Sequence, residues 1–137
     1  MLDVSSATLM LVGILFLAYV TIESGGWYLT RVASGCVELT EFQRSFHRAG
    51  HGHAGMLVTV GIVAAVPTDA TDLTGAWAWL ARSGIAVAGL LMSAGFFFSS
   101  LTRGATRPGR AIVLVWIGAA SLAAGAITLG VGLIAAS

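Results

Sequence analysis

Four long apolar stretches separated by short polar segments make up almost the whole chain. A helix needs about 20 mostly apolar residues to cross the hydrocarbon of a bilayer. The first stretch that meets this runs over about 7–29, ends near Arg31 and contains one acid, Glu23. The second helix starts before its apolar run. Thr40 followed by Gln43 fits a capping box, in which each side chain satisfies a free amide of the first turn. The segment 41–48 is polar, the span itself covers about 45–66, and Pro67 with the loop 68–74 stops it. The third span covers about 77–101 and the fourth about 110–135, with Arg103, Arg107 and Pro108 between them. These stretches are too long for the strands of a membrane barrel and lack their alternation. The expectation is an all-α polytopic membrane protein: one domain over 1–137, with four transmembrane helices in an antiparallel bundle.

Composition agrees. Charged residues are 9% of the 137 and apolar ones 57%, whereas soluble domains carry about 25% charged residues. The net charge of +1, without a clustered basic face, argues against nucleic acid as a partner and leaves membrane lipids. Cys36 is the single cysteine, so an intrachain disulfide and a four-thiolate metal site are excluded. It reads as an unreactive loop residue. Met1-Leu2-Asp3 lacks the basic start of a secretory signal, and the first apolar run is longer than a signal core, so it reads as a retained span.

All seven basic residues are arginine, and their placement suggests an orientation. Arg31, Arg44 and Arg48 flank the first loop; Arg103, Arg107 and Arg110 flank the third; only Arg82 lies toward the other side, where Asp69 or Asp72 are candidate partners. Short arginine-rich loops stay cytoplasmic. The expected location is the bacterial inner (cytoplasmic) membrane with both termini outside. Trp27 and Tyr28 suit the inner interface, Trp77 and Trp79 the outer one. Phe96-Phe97-Phe98 covers most of a helix circumference and reads as lipid or packing contact. Lipid supplies little hydrophobic drive between helices, so small residues that allow close approach matter. Gly84, Gly89, Gly118, Gly125 and Gly130 are the candidate packing positions, within the chain or between subunits of a homo-oligomer.

The chemistry-bearing groups are few. His47, His51 and His53 fall within seven residues, and Glu23 is the one acid well inside a span. Ionisable groups at membrane depth are costly and mark sites or pairings. Counted along the helices from the arginine-rich end, Glu23 and the histidines lie at similar depth. Ser99, Ser100, Thr102 and Trp116 belong to the same layer. His47 and His51 share a helix face, and His53 points nearly opposite. One metal ion therefore takes His47, His51 and Glu23, unless Gly50, Gly52 and Gly55 let the backbone leave the helix. Two imidazoles and a carboxylate suit zinc, copper or iron. The same four residues, Glu23, His47, His51 and His53, suit an ion, proton or substrate site in a transporter or channel. Haem is disfavoured, because a second histidine on another helix is lacking unless another copy supplies it. Against these stand plain structural roles: His47 as an interfacial group beside Arg44 and Arg48, and His51 as the hydrogen-bond partner of Glu23.

The string Thr-Glu-Phe-Gln-Arg-Ser-Phe-His-Arg-Ala-Gly-His-Gly-His-Ala-Gly at 40–55, with Ala-Thr-Arg-Pro-Gly-Arg at 105–110, resembles a group of small uncharacterised bacterial four-helix integral membrane proteins. The resemblance extends over most of the chain. It implies the architecture and no activity. The leading functional expectation is ion, proton or metal transport. The alternatives are a metal- or haem-binding membrane enzyme or electron-transfer subunit, and an accessory subunit of a larger membrane complex.

Overall fold

In the computed structural model, which describes residues 4–137, the chain forms four α-helices. They are α1 (Ser6–Ala33), α2 (Glu41–Thr68), α3 (Gly75–Ser99) and α4 (Val113–Ala135), the last entered through a single 3-10 turn, Arg110–Ile112. Their 28, 28, 25 and 23 residues correspond to about 35–42 Å at 1.5 Å per residue. Each is long and apolar enough to cross a membrane. Local chemistry sets the ends. After α1, Gly35 adopts a φ of 78°, and the amides of Gly35 and Cys36 turn back to the carbonyls of Val32 and Arg31, a glycine-dependent helix stop. The expected capping box opens α2: Thr40 accepts the Gln43 amide, and the Gln43 side chain accepts the Thr40 amide. Pro67 sits in the last turn of α2, one residue before its end.

Successive helices run antiparallel, as the cross-contacts show. Ser5 meets Asp69, Gln43 meets Ser100, and Gly84 meets Gly125. α3 is central, with α2 on one side and α4 on the other; α1 packs on α2, scarcely reaches α3, and nowhere meets α4 among the described residues. Half of α3's most apolar window is buried but only 11% of α1's, so α1 is the loosely covered member of the bundle.

Close backbone approach explains the order. A Cβ on Gly84 would stand 2.9 Å from the Gly125 Cα, and one on Gly118 would stand 3.0 Å from the Met92 backbone nitrogen. The Ser121 hydroxyl donates to the Gly84 carbonyl at 2.9 Å across the same contact. On the opposite face of α3, a Cβ on Gly89 would meet Leu57 at 3.0 Å, and one on Gly61 of α2 would meet Ala86 at 2.9 Å. Four of the expected packing glycines, Gly84, Gly89, Gly118 and Gly125, thus lie in interfaces within the chain. Gly130 faces open space, and Gly132, two residues on and on the opposite side of α4, closes against Leu73 instead.

A polar clasp ties each end. At the arginine-rich end the Gln43 amide group donates to the carbonyls of Ser100 (2.9 Å) and Thr102 (3.1 Å), and the Thr40 hydroxyl donates to Ala105. At the other end Arg82 donates to Asp69 at 2.7 Å and to the Thr8 hydroxyl at 2.8 Å. The Ser5 amide donates to Asp69 at 2.9 Å. This clasp joins the start of α1, the end of α2 and the second turn of α3. Burial pushes the Asp69 carboxyl up, but the Ser5 amide, the Arg82 guanidinium and the Thr8 and Ser5 hydroxyls outweigh it, and the carboxyl falls from 3.8 to about 2.

Two outcomes follow from this packing. The carboxyl is lower in the folded chain than in the unfolded one, so its stabilisation is complete above about pH 4–5. It is lost as pH falls toward 2. Thermal unfolding in detergent followed by circular dichroism from pH 6 to pH 2 should show this loss in the wild type and a flatter profile in Asp69→Asn. In the same assay at neutral pH, Gly125→Val should cost about 1–3 kcal/mol by overpacking, whereas Gly130→Ala should be neutral or slightly stabilising.

Candidate functional site

α2 stays helical through Gly50, Gly52 and Gly55, so the three imidazoles leave it in different directions. His47 is buried, its Nδ1 3.2 Å from the Tyr28 hydroxyl and its ring packed on Phe97 at a centroid distance of 5.2 Å. Its Nε2 is buried without a hydrogen-bond partner. His53 turns back on its own helix, where Nδ1–H donates to the Ala49 carbonyl at 2.8 Å, and its ring lies against Phe96. His51 points at α1 and occupies the space left by two adjacent glycines. A Cβ at Gly25 would stand 3.3 Å from its Nδ1, and one at Gly26 would stand 3.6 Å from its Nε2. Neither nitrogen of His51 is hydrogen-bonded among the described residues, so this half-buried ring is the one open to a ligand.

Glu23 is near the same depth but at a different rotation. It lies two residues before Gly25, about 200° around α1, so it does not meet His51. Its side chain is exposed and has neither a hydrogen bond nor an ion pair among the described residues. Its neighbours on that face are Phe16, Val20 and Trp27, all more than half exposed. The structure therefore does not bring Glu23, His47 and His51 together within one chain, and no three His, Cys, Asp or Glu groups among the described residues could hold a metal ion. A zinc, copper or iron centre built from these residues, or a haem held by two histidines, requires donors from a second chain.

The remaining polar groups of the layer are committed elsewhere. Ser99 and Ser100 donate to carbonyls of their own helix end, the Thr102 carbonyl belongs to the Gln43 clasp, and Trp116 is 70% exposed. The phenylalanine run divides: Phe96 and Phe97 pack on histidines, while Phe98 faces outward. Cys36 is a free, exposed loop thiol. Arg82 resolves onto Asp69 rather than Asp72. Two features escaped the sequence reading. Tyr28 is the partner of His47, and Gly25-Gly26 forms the seat of His51; adjacent glycines inside an apolar span are the signal of close approach that marks the second. Arg44, Arg48 and His51 also recur at spacings of four and three, which puts them on one face of α2.

No protein-family model, curated protein or solved structure matches the chain.

The geometry separates a packing histidine from an available one. His47→Phe removes an orphaned polar nitrogen from an aromatic pocket but leaves the Tyr28 hydroxyl without its partner. The double variant Tyr28→Phe/His47→Phe, in which both partners become apolar groups of similar shape, should stay within about 1 kcal/mol of wild type. Unfolding by sodium dodecyl sulfate, read by circular dichroism, checks this. A loss of several kcal/mol would show that the imidazole has a partner essential to the fold.

Proposed function

We propose that this chain is an integral protein of the bacterial cytoplasmic membrane, with loops one and three in the cytoplasm and both termini outside. It works as a homo-oligomeric transport protein in which Glu23 and His51 serve as the ion- or proton-handling groups. The observation that carries this reading is the position of Glu23. It lies three to four residues from the middle of α1, about 5 Å along the axis, on an exposed apolar stripe and without a partner. A bare carboxylate at that depth is expensive in lipid, and such groups normally face a bundle interior or a water-filled path. A neighbouring copy laid on this stripe of α1 turns the cost into an interior acid, with the open imidazole of His51 on the same helix pair. Zinc, copper or iron shared between copies belongs to the same reading.

A second reading rests on the same residue: the stripe meets a basic group of a different membrane protein, and the chain is an accessory subunit. Proton flux in proteoliposomes, read with an entrapped pH dye, separates the two when paired with the particle mass in mild detergent. For the transport reading, Glu23→Gln should lower flux at least tenfold, and His51→Ala should lower it too, while helix content and homo-oligomer mass stay unchanged. Wild-type flux in Glu23→Gln refutes the role assigned to the carboxylate. A stoichiometric second protein, with no flux from the purified chain, supports the subunit reading.

A further inference from the structure

α1 leans on α2 and leaves a lengthwise gap against α3. The gap is a groove of about 710 Å³ open along one side. Leu11, Ala18 and Ile22 form one wall, and Val87, Leu90 and Phe98 the other. From Leu11 to Gly25 it extends about 21 Å at 1.5 Å per residue, more than the roughly 15 Å of one leaflet of a bilayer core. The groove ends at His51. On the other side of that ring a second cavity of about 350 Å³ opens at the arginine-rich end, and its lining includes Arg44, Arg48 and His51. Neither arginine is paired with a carboxylate among the described residues.

We infer that the groove between α1 and α3 binds one acyl chain of an anionic phospholipid, whose phosphate is held at the mouth by Arg44 and Arg48 beside His51. Charge and depth both select this occupant. Guanidinium groups recognise phosphate with paired, charge-assisted hydrogen bonds. Counted from the rung where Gln43 bonds the Ser100 carbonyl, Arg48 lies about 7.5 Å and Ser93 about 10.5 Å into the bundle. Ser93 lines the groove, is nine-tenths buried, and its hydroxyl has no partner among the described residues. A donor about 3 Å deeper than a phosphate-binding guanidinium sits where the ester carbonyls of a phospholipid fall. Apart from Thr21 and Ser83, whose hydroxyl donates to the Trp79 carbonyl, the rest of the groove is apolar, as an acyl chain requires. Glu23 lies about 140° around α1 from Ala18 and so points away from the acyl-chain wall of the groove.

The test uses the full chain in detergent with equal amounts of phosphatidylglycerol and phosphatidylcholine, and native mass spectrometry counts the lipids retained. Wild type should keep one phosphatidylglycerol per chain, preferred by at least tenfold, in line with the contribution of basic residues near an anionic headgroup. Arg44→Gln/Arg48→Gln should lose the preference and still retain lipid. Ala18→Trp should fill the groove and retain neither, with helix content unchanged; if that variant fails to fold, Leu90→Trp on the other wall poses the same question. Equal retention of the two lipids by wild type overturns the assignment. So does a preference that survives Arg44→Gln/Arg48→Gln, which would place the headgroup at another arginine cluster. A disulfide dimer of Ala18→Cys in a Cys36→Ser background, with no lipid retained by wild type, would make the groove a seat for a second copy and would equally overturn it.

Discussion

The structure depends on how closely other backbones can approach α3. In a bilayer the lipid tails are as apolar as the helices, so burial alone does not drive helices together. Contact has to come from dispersion between closely fitted surfaces and from polar groups that find one another. α3 offers small residues on two faces. Gly84 with Ala88 and Gly95 receives α4, and Ala86 with Gly89 receives α2. At Gly84 and Gly125 the two backbones touch, a distance that any side chain would forbid. The face of α3 toward the groove carries Val87, Leu90 and Phe98, all substantially exposed. The groove lies beside these two packed faces, where α1 makes little contact with α3.

α1 is held by polar contacts and by one apolar cluster, in which Leu15 packs with Val58 of α2 and Ala86 of α3. At one end Asp69 gathers Ser5 and Arg82, with Thr8 bonded to the same guanidinium. Midway Tyr19 meets Thr59, and toward the other end Tyr28 meets His47 while His51 fills the Gly25-Gly26 seat. Only the stripe of α1 that carries Leu11, Leu15, Tyr19 and Ile22 is covered along its length, and the flanks on either side are open. One side became the groove, and the other the stripe that carries Glu23.

Much of the fold was legible in the sequence because its determinants are local. Hydropathy fixed four spans, Thr40 with Gln43 fixed the start of α2, and Gly84, Gly118 and Gly125 marked a packed surface. The end of α3 shifted by two residues, to Ser99 from the expected 101. The candidate site was less legible because it depends on rotation about the helix axis. Similar depth for Glu23 and His51 could be counted along the chain. That Gly25 and Gly26, and not Glu23, turn toward His51 depends on how α1 lies on α2. Gly130 meets nothing among the described residues for the same kind of reason: the loop that brings Leu73 over α4 covers Gly132 instead.

The two uncovered sides of α1 place different demands on their surroundings. The groove is lined mostly by apolar residues and ends at His51, beyond which Arg44 and Arg48 line a second cavity. The Glu23 stripe is apolar apart from its one carboxylate, which an acyl chain cannot solvate. On the proposed reading, lipid completes one side of the helix and protein the other. If both sides are filled, α1 is a partition between bound lipid and a protein interface. A shift of that loosely held helix would be felt on both sides at once, with His51 at the junction as the group whose surroundings change most.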